Sequence, residues 1–308
     1  MNLELGSEAQ EYGRSALRAF EAAGGDELVL RADSDPACRE QLVGPILAGL
    51  GAFELKPRAD ADELEAAAAL CRAAGYWALP YPVAECLSVP ADLDDLDVDG
   101  LIVVADRAPV GQVAGLSKRW AAVTLDGVRS TVVAQSAARP GLVAEVELAE
   151  LDRAGAGDVA LALTLPCWTL LGMLDRALDL TIAHVRLREQ FGQALSTFQG
   201  VQFQLTDAEV ERAGLDMLAT YAVWSIATGR PEAVDDALAL RMAALDAAEV
   251  VFRVCHQLHG AVGFCDETAL SWLSRYSQPL RRLPWGLSAT RDQLARRVGR
   301  TGLTGLYA

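Results

Sequence analysis

The sequence has little from which to build a metal centre. It holds three histidines in 308 residues, and none of its six cysteines (Cys38, Cys71, Cys86, Cys167, Cys255 and Cys265) forms a CxxC pair. Zinc sites need clustered Cys and His at short spacing, so no metal is expected, and the thiols read as reduced side chains of a cytoplasmic protein. Basic charge is also short. Against 42 Asp and Glu stand 27 Lys and Arg, leaving a net charge of −15. A surface that grips nucleic acid or anionic lipid carries the opposite imbalance, so neither is expected as a partner. Met1 to Glu8 offers neither the basic nor the apolar segment of a secretory leader. The most apolar run, between Asp158 and Asp175, is short for a membrane span and contains Thr164, Pro166 and Thr169. A buried helix is the expectation there. Aromatic residues supply only 6% of the chain, so alanine and leucine carry most of its 52% hydrophobic content, which favours helices.

Three textures follow one another along the chain. Residues 1–95 read as helices. One amphipathic segment runs from Ser7 to Ala23 and stops at Gly24-Gly25, and a second runs from Arg39 to Leu50. A third starts at Asp60, with Glu63 three residues on as in a capping box, and Pro80-Tyr81-Pro82 breaks the pattern. Residues 96–152 switch to short β-prone runs at 101–104, 120–124, 130–134 and 143–148, with Asp126-Gly127 as a hairpin turn. A small, mostly antiparallel β domain is expected. From 153 to 308 long helices return. Leu170, Leu174, Leu178, Ile182 and Val185 share one helix face. A second helix carries Val201, Leu205, Ala208, Leu215, Leu218 and Ala222. A third follows Pro231, which suits a first turn, and holds Leu238, Met242, Leu245, Val251, Cys255 and Leu258. With a tail from about 268, these predict a four-helix bundle and a mainly α fold.

Two motifs sit at the ends of the expected bundle helices. The first is Arg188-Glu189-Gln190-Phe191-Gly192, followed by Phe198-Gln199 and Gln202. The second is Gln257-Leu258-His259-Gly260-Ala261-Val262-Gly263-Phe264. In this order and on this layout they resemble the R-x-Q-F-G and Q-x-H-G-G-x-G-Y/F motifs of the acyl-CoA dehydrogenase family. The resemblance covers roughly residues 1–300 and is strongest from 165 to 270. It implies FAD as cofactor. It also implies that Arg188, Gln190 and Phe191 reach across a subunit interface, the guanidinium forking onto the FAD diphosphate. Gln257, Gly260 and Ala261 would lie at the same end of the flavin, Ala261 standing where the family has a second glycine. Each residue also has a plainer account: a solvated Arg, a core Phe, helix-stopping glycines. His184, His256 and His259 read as packing or capping residues.

Several family features are missing. The middle segment is about half the family's usual length. It lacks both the T-E-P-x-x-G-S-D and the W/F-I-T/S segments that cradle the flavin ring. The carboxylate that removes the proton α to the thioester would fall, in Leu283-Pro284-Trp285-Gly286-Leu287, at Trp285. At the family's alternative place it would fall near Ala162. Neither is acidic. The stretch Val159–Leu165 has no charge for CoA. This pattern resembles the shorter, degenerate subunit of heterotetrameric α2β2 acyl-CoA dehydrogenases that act on steroid-derived CoA thioesters. The resemblance then implies that no catalytic residue comes from this chain. A longer homologous partner would supply the base and the acyl-CoA site, and an electron-transfer flavoprotein or another acceptor would take the electrons. Other readings stay open: a homo-oligomeric dehydrogenase with an atypical base among Asp175, Asp207, Asp266 and Asp292, an oxidase, or a flavin-free scaffold. The arginine-rich stretch from Arg275 to Arg300 reads as a solvated face, with attraction of the CoA phosphates of the partner's substrate as the lesser alternative.

Overall fold

Alanine-rich amphipathic segments pack first, as a helical layer at the front of the chain. In the computed structural model, which describes residues 4–301, α1 spans Ser7–Ala22, α2 Asp26–Ser34, α3 Arg39–Gly49, α4 Ala61–Tyr76 and the short α5 Val83–Cys86. The outer ends of the first and last expected segments, residues 1–3 and 302–308, lie outside the described residues. Asp60 caps α4 by accepting from the backbone N–H groups of Asp62 and Glu63. The reciprocal half of the expected capping box does not form, because the Glu63 carboxylate takes the Lys56 N–H instead. Helix α2 was not legible in the sequence. The Gly24-Gly25 stop restarts a helix at once, with Asp26 and Glu27 in its first turn.

The middle of the chain is a five-stranded sheet in the order β1-β3-β4-β5-β2. Its strands are β1 Gly100–Val103, β2 Val110–Gly111, β3 Trp120–Val123, β4 Val128–Gln135 and β5 Ala144–Ala154. All pairings are antiparallel except β1 with β3, which run parallel. The four expected runs are β1, β3, β4 and β5, and Asp126-Gly127 turns the β3–β4 hairpin with Gly127 at φ +82°. β1 and β3 are buried along their whole length, whereas β5 is largely exposed after its first residues.

The long helices are α6 (Val159–Leu187), α7 (Gln199–Ala227) and α8 (Ala233–His259), followed by α9 (Ala269–Arg282) and α10 (Leu287–Thr301). α10 packs along α8 to complete a four-helix group, and α9 packs on α6 and α8. Pro231 lies just outside α8 rather than in its first turn. Leu218, expected on the inner face of α7, is 42% exposed. By length and composition residues 156–187 could cross a membrane, but 83% of the apolar window is buried in the protein, so α6 is the core helix.

The front layer docks on this bundle through glycines. A Cβ on Gly75 of α4 would lie 1.8 Å from the Thr169 carbonyl oxygen, and one on Gly172 of α6 would lie 1.9 Å from that of Arg72. The two helices therefore touch backbone to backbone, and any larger residue would force them apart. Arg39, 1% exposed, ties the layer to the sheet by donating to the carbonyls of Pro80, Gln112 and Ala114. Arg129 ties the sheet to the start of α6 through Asp158 at 2.7 Å and to Asp92 at 2.5 Å.

Candidate functional site

Helices α6 and α8 run in the same direction, so their C-termini meet at one end of the bundle, and each terminus carries one motif. The stacked rings of His184 and His259, 4.3 Å apart, join the two ends. After α6 the chain turns at Arg188, whose N–H donates to the His184 carbonyl. It then forms a two-stranded ribbon, β6 (Glu189–Gln190) and β7 (Gln193–Ala194). The connecting residues Phe191 and Gly192 have φ +57° and +80°. A two-residue hairpin loop with both φ positive fits the twist of its strands, but it ordinarily takes Asn-Gly or Asp-Gly. A phenylalanine in that conformation costs about 1–3 kcal/mol. What it gains locally is small. Phe191 is 92% exposed and makes one edge contact, to Phe198 at 6.3 Å. The strain holds an aromatic ring out into solvent.

The second motif ends α8 and continues as a 3-10 turn, Gly260–Phe264. Gly260 has φ +63°, and a Cβ there would meet nothing, so its role is the turn itself and an open backbone. Arg188, Gln190, Phe191, Gln257, Gly260 and Ala261 are all exposed. Around them Leu187, Phe203, Val262 and Phe264 are also exposed, by 84%, 58%, 50% and 68%. A concentration of exposed apolar side chains beside an arginine marks a surface made for a ligand or another chain. Sequence reasoning missed these four, because nothing in a helical pattern says which apolar residues stay uncovered. Burial holds the imidazoles of His184, His256 and His259 below their ordinary range, and for His184 the neighbouring His259 and Arg188 add to the effect.

The place where the family's ring site and base would lie has the opposite character. Ala162, Pro284 and the sheet edge line a crevice of about 40 Å³ together with Glu85, Pro166, Arg241 and Leu283, and Trp285, the next residue in the chain, packs against the apolar cluster that includes Ala162. That volume holds a water or two and no flavin ring. Arg241 closes it. This side chain is 3% exposed on α8 and donates to the carbonyls of Leu280, Leu283 and Trp285 at 3.3, 2.5 and 2.7 Å. Burial lowers its pKa from the ordinary value. It is a cation spent on fastening the 283–285 loop. In the sequence its only trace is one arginine among the apolar residues of a helix.

The four candidate aspartates fare no better as bases. Both Asp175 oxygens are held by guanidinium groups, Arg72 at 2.6 Å and Arg212 at 3.4 Å, in a network that joins α4, α6 and α7. Burial pushes the Asp175 carboxyl up and Arg72 opposes the shift. Asp266 pairs with Arg275 at 2.8 Å, and Asp207 and Asp292 are exposed on the outer faces of α7 and α10. Glu85, overlooked in the sequence, lines the closed crevice with its carboxyl pushed up by burial. Of the six thiols Cys71, Cys167 and Cys255 are buried, Cys38 and Cys86 are half-buried and Cys265 is exposed.

A helical layer, a small sheet and a helical bundle, in this order, form the fold shared with acyl-CoA dehydrogenases of known structure. Residues 164–298 match the model of the acyl-CoA dehydrogenase C-terminal domain, which places this region of the chain in the acyl-CoA dehydrogenase family. The chain is 30% identical over 238 residues to acyl-CoA dehydrogenase FadE27 of Mycobacterium tuberculosis, a match that covers 71% of this chain but only 57% of that protein. The chain thus spans little more than half the length of that curated relative. Its fold is shared with a chain of the Tcur3481-Tcur3483 steroid acyl-CoA dehydrogenase (TM-score 0.80, 19% identity, 96% of this chain and 99% of that one). It is shared equally with a chain of the ChsE4-ChsE5 complex of Mycobacterium tuberculosis (TM-score 0.75, 19% identity, 98% and 100%).

Proposed function

We propose that this chain is the non-catalytic subunit of a two-chain, FAD-dependent acyl-CoA dehydrogenase that desaturates a thioester next to its carbonyl. The observation that carries the reading is the contrast between its two half-sites. The end that would contact FAD across an interface is complete and exposed, whereas the place for ring, base and thioester is closed to about 40 Å³. Two of the structural neighbours, Tcur3481-Tcur3483 and ChsE4-ChsE5, are named as two-component assemblies, the first of them a steroid enzyme, which favours an α2β2 partnership and a steroid-derived acyl group.

In this arrangement FAD, when bound, accepts the hydride from the β carbon. Arg188 offers a forked cation to its diphosphate, a charge-assisted contact that gains strength as the interface excludes water. Phe191, already fixed outward by its backbone, covers the adenosine without losing further freedom on binding. Gln257 and the open backbone at Gly260–Ala261 supply hydrogen-bonding groups at close range. No carboxylate of this chain reaches the thioester, so the proton α to it goes to a base of the longer partner.

The experiment is to purify the chain alone and co-expressed with a full-length homologue. Alone it should be colourless; with the partner it should run as a heterotetramer with FAD at the unlike interfaces. A stable, FAD-loaded homotetramer of this chain alone would sink the proposal in favour of an atypical homo-oligomer. A flavin-free heterotetramer would leave only a scaffold.

A further inference from the structure

Outside the two half-sites, most of the arginines from 275 to 300 are engaged within the chain. Arg291 pairs with Asp246 at 2.8 Å, Arg297 pairs with Asp235, and Arg282 lines an open cleft beside Pro279. The outer face of α7 has no such account. It carries three exposed large apolar residues in a regular series. Phe203, Val210 and Met217 are 58%, 62% and 54% exposed and stand seven residues apart. Seven residues make two turns, so the three form a line about 21 Å long on one side of the helix. Leu218, also exposed, flanks the line, and the half-buried Tyr221 extends it. With Gly200, Asp207 and Gly214 the series 200, 203, 207, 210, 214, 217, 221 alternates steps of three and four, the spacing of a seam between two helices. Gly214 sits in the helix interior, where glycine is less favourable than alanine. At Gly75 and Gly172 a Cβ would strike a neighbouring helix, and internal packing explains them. At Gly200 and Gly214 a Cβ would meet nothing in this chain, so its own packing does not require them.

The charge and the sizes along this seam say what covers it. Two copies of a chain with net charge −15 repel each other, so they can meet only through surfaces that carry little charge. Of the seven seam residues Asp207 alone is charged. The seam is also complementary to itself when run antiparallel about a two-fold axis at Val210. Val210 then faces Val210 of the second copy, and Phe203 faces Met217. Within about one residue's rise, Gly200 comes level with Tyr221 and Gly214 with Asp207. The bulky Tyr221 thus meets a glycine, and no carboxylate faces another. The open glycines let the two backbones approach, as Gly75 and Gly172 do inside the chain.

We propose that α7 pairs with α7 of a second copy of this chain, antiparallel about a two-fold axis at Val210. Apart from Phe203 the seam stands on other residues than those around the flavin motifs. It forms without FAD and does not depend on the assembly proposed above; where that assembly forms, the seam joins its two like chains. The test is sedimentation of the full chain alone, which should run as a flavin-free dimer. Val210→Glu sets two carboxylates across the axis and should weaken the dimer by roughly 100-fold or more. Gly214→Leu should weaken it comparably while leaving thermal stability of the monomer unchanged or higher, since the new side chain meets nothing in its own chain. Val133→Glu, at an equally exposed site on β4, should leave the dimer intact. Val210→Cys in a Cys265→Ser background should cross-link to itself on oxidation. A chain that sediments as a monomer at about 100 μM, a dimer that survives Val210→Glu, or a Val210→Cys variant that stays uncross-linked would overturn the proposal. A monomer that still joins a longer homologue with FAD would sink this pairing and leave the proposed function standing. A colourless dimer that takes no partner would do the reverse.

Discussion

The open end of the bundle and the crevice beside the 283–285 loop have opposite characters, one exposed and the other filled. At the open end, uncovered Leu187, Phe191, Val262 and Phe264 surround Arg188, and the chain bears the cost of a strained Phe191 to keep them presented. At the crevice a buried arginine, hydrogen-bonded to three backbone carbonyls, fills the space. Under the proposed assembly, the difference teaches that contacts made across an interface and contacts made within a subunit can be retained separately. The first require only a few exposed side chains on a rigid helix end. The second require a cavity, which costs stability unless a ligand fills it.

The sharpest break of this comparison is at Arg188. In the assembled complex, Arg188→Ala should lower FAD affinity about 30- to 1000-fold, since a partly buried charge-assisted contact carries about 2–4 kcal/mol. Flavin content after dialysis measures it, and full retention would remove Arg188 from the site. Next comes Arg241. Replacing it with Met removes a donor from the part-buried carbonyls of Leu280, Leu283 and Trp285, so the variant should lose about 2–3 kcal/mol of stability in denaturant unfolding. It should gain no flavin when purified alone; a yellow Arg241→Met chain would mean the crevice is a working site merely locked.

A smaller effect concerns pH. The imidazoles of His184, His256 and His259 have folded-state values below the ordinary one near 6.5. The unfolded chain therefore takes up protons first, and the stability these rings contribute is present above about pH 6.5 and is lost as pH falls through the lowered values. Charging two rings stacked at 4.3 Å adds repulsion beside Arg188. Thermal unfolding should shift down between pH 6.5 and 5, and His259→Phe should flatten that slope while keeping the stack. The smallest effect should come from the acids. Asp207→Asn, Asp266→Asn, Asp292→Asn and Glu85→Gln should keep turnover of the complex within about two-fold, whereas loss of a true general base costs roughly 10²–10⁴-fold. Asp175→Asn should destabilise the protein by unbalancing Arg72 and Arg212 without a selective loss of turnover. A drop of the larger size in any of them with FAD still bound would make this chain catalytic.

Local pattern determined a good deal. The 3.6-residue spacing of Leu170, Leu174 and Leu178 is enough to specify a buried helix face, and the β-prone runs around Asp126-Gly127 are enough to specify a hairpin, because these depend on neighbours in the chain. The two motifs and the missing acid at Trp285 were legible for the same reason. Tertiary structure alone decided the rest. Gly75 and Gly172 meet only because α4 and α6 pack backbone to backbone. His184 and His259 stack across 74 intervening residues only because α6 and α8 end at one level. Whether an arginine seals a crevice, as Arg241 does, or lines an open cleft, as Arg282 does, depends on what the fold places opposite it. A sequence states which groups a chain owns; burial, which sets their charge and their availability, is a property of the packed whole.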